Sequence, residues 1–351
     1  MYIIRPNVEL WENKNHVQHI ARCASVCYGS KGKRPFDEEK DKKLVENLIA
    51  SHHLSVLRHD TVYFLIPAND YKSNDDLYAD IITLNNYNAY VNVKFNKNND
   101  CFISVNGQWS YENGWFIGKW KQYIVDEDYI KEYPTGNDIR RFTFCITTQI
   151  STSREFNRVS PNAITEESTR YCNYTKEKFD NHVTICQPFW IDVLDAFETQ
   201  YEATEPIEKV RFNGKNISAY VNGKLITKKF SEFNVEVLSD VKTQQHAKVF
   251  LGFLHKETTH YTDMVRYGLI PQEVRELLPL CTATTVVYTY SIEEWIKILL
   301  LRYYGVTGAP HPNAFIIAKE IKELLEFEGY DVDDLAYDVC KLIYNKELKL
   351  K

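Results

Sequence analysis

Residues 151–174 read STSREFNRVSPNAITEESTRYCNY and keep no apolar period of 3.6 or 2, with Pro161 interrupting the run. The stretch therefore reads as neither a long helix nor a strand, and it follows a strand-like run. It packs three arginines (Arg154, Arg158, Arg170) and three carboxylates (Glu155, Glu166, Glu167) among hydroxyls and amides. A solvated helix face alternates charges with long apolar positions, and those are few here. Two readings stay open: a surface loop, or a site for an anionic ligand.

The flanking chain is more regular. Residues 1–10 read as a short strand, and residues 15–28 carry a helical stripe at positions 17, 20, 21, 24 and 27. A Gly-Ser-Lys-Gly-Lys turn follows, then a helix over 37–52 whose acidic start suits its dipole. TVYFLIP (61–67) reads as a strand. Residues 68–140 are less regular, with a helix in DDLYADIITLNNY and strands in AYVNVKF and CFISVNGQWSY. Asn106-Gly107, Asn213-Gly214 and Asn222-Gly223 each predict a hairpin turn. Residues 141–150 alternate as a half-buried strand, and 190–204 and 236–267 read as amphipathic helices, the second stopped by Gly268. Pro271 takes a first-turn position. CTATTVVYTYS then reads as a strand, and IEEWIKILLLRYY as a helix with Arg302 at its polar end. HPNAFIIAKEIKELLEF and residues 331–345 give two more helices. The pattern predicts one α+β domain over 1–351, a mixed sheet with long helices carrying β-hairpin insertions at about 68–140 and 205–235. Those insertions are lids, partner surfaces or plain decoration.

A net charge of −6 argues against a broad nucleic-acid footprint, so anion binding has to come from local arginines. No apolar run approaches the length of a membrane span, and the first residues show no secretory signal. Eight cysteines without a CxxC pair suit reduced thiols in a cytoplasm and no metal site. GxGxxG, GxxxxGK[ST], HExxH and GxSxG are all missing. His52, His53 and His59 lack the partners of a metal triad, and at least one reads as structural. Arg158 and Arg170 flank Ser168, while Arg275 and Arg302 sit beside apolar runs. Singly, each is a half-buried salt bridge to Glu273, Glu294 or the like. Together, one anionic ligand accounts for them more economically, because guanidinium forks bind phosphate bidentately.

Four stretches, in order, resemble the flavin-dependent thymidylate synthases: ARCASVCYGS, HLSVLRH with its strand, REFNRVSPNAITEESTRYCNYTKEKF, and GLIPQEVRELLP with the strand, helix and HPNA after it. The resemblance implies an α+β core and a homotetramer with sites between subunits. It implies FAD as cofactor, NADPH and methylenetetrahydrofolate as co-substrates, and dUMP or a related pyrimidine nucleotide as substrate. By matching position, Ser168, Arg170 and Arg275 hold the nucleotide phosphate, and Glu155 and Glu166 contact the nucleotide. Arg302 faces the pyrimidine ring, where a cation stabilises charge developing on the carbonyls; Arg302 and Ser168 are the catalytic candidates. His53, Arg58, Arg158, Val159, Ser160, Glu166, Ser291, Lys297 and His311 fall at flavin-facing positions.

The sequence departs from the family mostly among these flavin-facing positions. Val159 and Ser160 replace the His and second Arg of the signature, Arg58 replaces a Glu, and Ser291-Ile292-Glu293 replaces Asn-Leu-Arg. Lys297 replaces an Asn, and HPNAFI departs from the HPQ pattern. An Arg-to-Glu exchange beside a diphosphate reverses an attraction of roughly 1 to 3 kcal/mol per charged hydrogen bond. Arg58 and Lys297 supply charge from new places. The readings are a flavoenzyme with rewired FAD contacts, a nucleotide-binding homologue without flavin chemistry, or an enzyme of this fold for another pyrimidine nucleotide.

Overall fold

A computed structural model describes residues 1–30, 35–85, 90–159 and 162–348, and the architecture is α+β. Its centre is an antiparallel sheet in the order β2 (Asn7–Trp11), β7 (Arg141–Gln149), β15 (Ala283–Ser291), β8 (Ile164–Glu166). β7 and β15 pair along their full length, Arg141 opposite Ser291 and Gln149 opposite Ala283. Both are buried on both faces, which is why β-branched and aromatic residues fill them. On one face Phe144, Ile146, Val286, Tyr288 and Tyr290 meet the helices Ile292–Arg302, Pro312–Phe327 and Val332–Tyr344. Trp295 seals that layer: its ring lies edge-on to Phe144 at 4.8 Å, and its indole N–H donates to Phe142 O at 3.1 Å. Full burial of an apolar side chain such as Phe144 or Ile146 in this layer contributes about 1.5–3 kcal/mol. On the other face Cys145 and Val287 meet Trp11, Cys23 and Val26, the last two from the helix His16–Val26.

Two further layers flank this core. β13 (Lys224–Lys229), β12 (Asn216–Val221), β11 (Val210–Phe212), β1 (Tyr2–Ile4) and β9 (Thr184–Cys186) form one sheet in that order, covered by the helix Gln244–Arg266. β10 (Ile191–Asp192) and β14 (Glu236–Val237) pair beside it. β4 (Val91–Phe95), β5 (Cys101–Asn106), β3 (Thr61–Ile66) and β6 (Ile124–Val125) form a lobe with its own core around Phe64, Ile103, Trp109 and Phe116. That lobe holds helices Asp75–Asn85 and Gly107–Glu112 as well as strands, so the 68–140 segment is not purely β.

The Asn222-Gly223 turn forms as expected: φ is +50° and +76°, and Val221 pairs with Lys224. Asn213-Gly214 also lies in the connection of β11 to β12, but only Gly214 takes positive φ, +87°, and four residues separate the paired Phe212 and Ile217. Asn106-Gly107 does not make a hairpin. Asn106 stays extended and its Oδ1 accepts from Trp109 N–H at 2.9 Å, so it caps a helix over residues expected to continue a strand. Gly107 is needed there because a Cβ would lie 2.5 Å from Leu57 O. The helix expected over 236–267 begins at Gln244, since the Thr243–His246 capping box fixes its start and residues 236–237 belong to β14. The helix expected over 190–204 is Val193–Gln200. Within the described residues no helix is long and apolar enough to cross a membrane.

Candidate functional site

The chain leaves β7 through two short turns, Ile150–Ser153 and Arg154–Phe156. Fully buried Phe156 packs beside Tyr288 and fixes the turn, which leaves Glu155 at the rim. The helix Ile292–Arg302 runs back over the same sheet and brings Arg302 to that point. Arg302 Nε donates to Glu155 O at 2.7 Å, and its Nη2 lies 2.8 Å from Glu155 Oε2. Arg158 Nη2 approaches the same carboxylate at 3.9 Å. Burial lowers the Arg302 pKa and Glu155 opposes it. The partner of Arg302 is thus Glu155, from the matching polar stretch, and not Glu294.

Glu166 closes β8, a short strand that forms inside the polar stretch. Its Oε1 accepts from Ser153 Oγ at 2.8 Å and Thr284 Oγ1 at 3.1 Å. Burial raises its pKa, opposed by those two donors and by Arg154. Tyr288 OH donates to Ser153 O at 2.7 Å, tying the turn to β15. Past β8, Ser168 N–H donates to Cys27 O at 3.0 Å and Ser168 Oγ accepts from Arg170 N–H at 3.3 Å. Arg170 and Arg275 are exposed, and neither has an ion-pair partner among the described residues. Cys172 and Val274 lie in one small buried cluster, so both arginines leave segments anchored in the same core. Glu273 accepts from Ile270 N–H at 2.9 Å and does not hold Arg275.

The positions expected from the resemblance to face a flavin divide. Arg58 Nε donates to Gln108 Oε1 at 2.7 Å and its Nη1 to Asn162 O at 2.9 Å, which joins the lobe to the polar stretch. Val159 packs on the main core, and Ser160 lies outside the described residues. His53 is exposed at the start of the turn Leu54–His59. Ser291 and Lys297 line one cavity of about 380 Å³. Ser291 caps its helix, with its N–H and Oγ donating to Glu294 Oε2 at 2.7 and 2.9 Å, and Lys297 pairs with Glu293 at 2.8 Å. His311 is elsewhere. It caps the helix Pro312–Phe327, whose Asn313 bonds Gln149 at the far end of β7 from Arg141. A nine-residue strand separates those ends by roughly 27 Å, so one chain does not gather His311 with Ser291 and Lys297.

Sequence reasoning missed the groups that complete this cavity. Tyr90 and Ser104 reach it from the lobe, and Arg141 from the first position of β7. Arg141 Nη2 donates to Thr289 O at 3.0 Å, while its Nε and the Ser104 Oγ are buried without a partner. An arginine opening a buried strand was the available signal. His59 is the expected structural histidine: its ring nitrogens bond Thr289 Oγ1 at 2.8 Å and Thr165 Oγ1 at 2.9 Å, and burial lowers its pKa to about 3.

A family model described as thymidylate synthase complementing protein matches residues 138–326. Two solved structures resemble the chain more distantly, both of the UMP/dUMP methylase PolB from Streptomyces cacaoi. The form bound with 5-Br dUMP is 13% identical over 93% of this chain and 92% of its own, with a TM-score of 0.37. The form bound with 5-Br UMP is 11% identical over 97% and 96%, with a TM-score of 0.38. No curated protein matches. The family match decides membership, because it runs from the end of the lobe through β7, the polar stretch, β15 and the Arg302 helix, over more than half of the chain. This chain belongs to the thymidylate synthase complementing proteins, the flavin-dependent thymidylate synthases.

Proposed function

We propose that the chain methylates C5 of dUMP, or of a closely related pyrimidine nucleotide, with a one-carbon unit from methylenetetrahydrofolate. The observation that carries this reading is the Arg302–Glu155–Arg158 cluster, because it sits inside the family-matched segment, on the turn whose Ser153 also holds half-buried Glu166. Arg302 is held at its Nε by the Glu155 carbonyl, which aims a cation at the rim while leaving its carboxylate contact exchangeable. A ring carbonyl gaining negative charge during attack from C5 would be stabilised there. Arg170 and Arg275, neither with an ion-pair partner among the described residues, suit the phosphate.

The cavity beside Ser291 suits an acceptor-rich part of a cofactor such as FAD, because buried Arg141 Nε and Ser104 Oγ lack acceptors. Arg141, Ser104 and Lys297 would hold it, with Tyr90 at its wall. When bound, reduced FAD supplies the hydride that turns the transferred carbon into a methyl group, with NADPH as the source of electrons. The family's assembly as a homotetramer would bring His311 of one chain to a site on another.

A second reading, a nucleotide-binding homologue without flavin chemistry, is favoured by Glu294 capping Ser291 and by Glu293 lining the same cavity. Thermal stabilisation by dUMP, UMP and dCMP, measured beside FAD uptake, separates the readings. A larger shift with dUMP together with FAD uptake supports the enzyme. Equal shifts with all three nucleotides remove the thymidylate assignment, and stabilisation by dUMP without FAD uptake favours the second reading.

A further inference from the structure

A cavity of about 230 Å³, lined by none of the site residues named above, lies between the outer sheet and the helix Gln244–Arg266. Four basic side chains line it: Arg211 from β11, His182 before β9, and His255 and Arg266 from the helix. Arg211 Nη2 lies 3.3 Å from His182 Nε2, and no carboxylate lies within ion-pair distance of Arg211 among the described residues. Asp263 lines the cavity too, 3.6 Å from Arg266. Asp180, near His182, is drawn off by Lys209. The cavity thus holds two guanidinium groups against one lining carboxylate. Burial first, then nearby positive charge that includes Arg211 and Arg266, lowers the His182 pKa to about 4. An electrostatic surplus of this kind is relieved by an anion.

The backbone is shaped to the same end. Gly214 takes φ of +87° and a Cβ there would come within 3.1 Å of His255 Cε1, so glycine lets the β11–β12 turn close over the helix. His255 packs edge-on to Phe212 at 5.3 Å, which fixes the ring beside the cavity. Buried Thr258 and Thr262 line it from the helix.

We propose that this cavity is a second anion site, built by the 205–235 insertion against the Gln244–Arg266 helix, which binds inorganic phosphate or the phosphate group of a small phosphorylated molecule. Arg211 is its central ligand, because its guanidinium fork has no carboxylate partner among the described residues and matches phosphate geometry. The cavity is too small for a whole dinucleotide and suits the phosphate with little more.

The test is thermal stabilisation of the full chain by inorganic phosphate, against chloride at matched ionic strength and against acetate. The expected result is extra stabilisation by phosphate, with apparent affinity about tenfold or more weaker in Arg211→Gln, as loss of a charged hydrogen bond implies. Arg275→Gln, at the nucleotide site, should leave this effect in place. Arg266→Gln alters an exposed residue and gives the same readout if Arg211→Gln does not fold. The proposal is overturned if phosphate adds nothing over chloride, if acetate stabilises as well as phosphate, or if the effect vanishes in Arg275→Gln while both cavity variants keep it.

Discussion

Replacing Arg302 by Met tests the cluster on which the functional reading stands. The side chain makes two contacts with Glu155, one to the carbonyl at 2.7 Å and one to the carboxylate at 2.8 Å. Arg302 is 13% exposed and Glu155 35%, so solvent screens the carboxylate leg to about 1 kcal/mol. The carbonyl leg, whose loss leaves an acceptor without its donor, contributes about 1.5 kcal/mol. Arg302→Met should therefore cost about 2.5 kcal/mol in urea denaturation at neutral pH, provided the methionine fills the vacated space. In a Glu155→Gln background the same change should cost about 1.5 kcal/mol, because only the carbonyl leg is left to lose. The coupling energy of about 1 kcal/mol is the quantity to measure. Binding of dUMP should weaken about tenfold or more in Arg302→Met, and less in Glu155→Gln, where Nε keeps its anchor. Additive costs, or dUMP binding untouched by Arg302→Met, would mean that Arg302 and Glu155 do not form one cluster at the nucleotide.

Three more outcomes follow from the geometry. Arg170→Ala should weaken nucleotide binding by about 1.5–3 kcal/mol in calorimetry, and unchanged binding would remove it from the phosphate clamp. Glu320 has its pKa raised to about 7 by burial, so the folded state holds a proton that the unfolded state has released above its ordinary value of 4.5. Stability from this group is present below pH 4.5 and falls as pH rises through about 7. Glu320→Gln should thus stabilise the protein by about 1 kcal/mol in alkaline buffer, after discounting for screening, and change nothing in acid; a pH-independent effect would contradict this. Gly107→Ala should cost about 2 kcal/mol or more, since its Cβ meets Leu57 O; a neutral result would mean the turn is not packed as described.

The central fold was legible because β7 and β15 announce themselves by composition, and the helices after them keep an apolar stripe. Asn222-Gly223 was legible too, since both residues need positive φ whatever surrounds them. Asn106-Gly107 carries the same dipeptide but answers to tertiary structure: Leu57 O presses on Gly107 and Asn106 caps a helix. Local sequence does not distinguish the two cases. Motif order put Arg302 and the polar stretch in one neighbourhood, and the structure supplies the Arg302–Glu155 contact. The same mapping placed His311 with Ser291, because order along a chain does not say which end of a sheet each helix caps. Ser104 was invisible, a small polar residue within a buried strand of the lobe.

Titration of the purified protein with FAD, followed by flavin absorbance with and without dUMP, decides whether the chain is a flavoenzyme acting on this nucleotide. Stoichiometric uptake of FAD, weakened by Ser104→Val, is expected together with stabilisation by dUMP. A colourless protein that refuses FAD, yet is stabilised by dUMP, would contradict it.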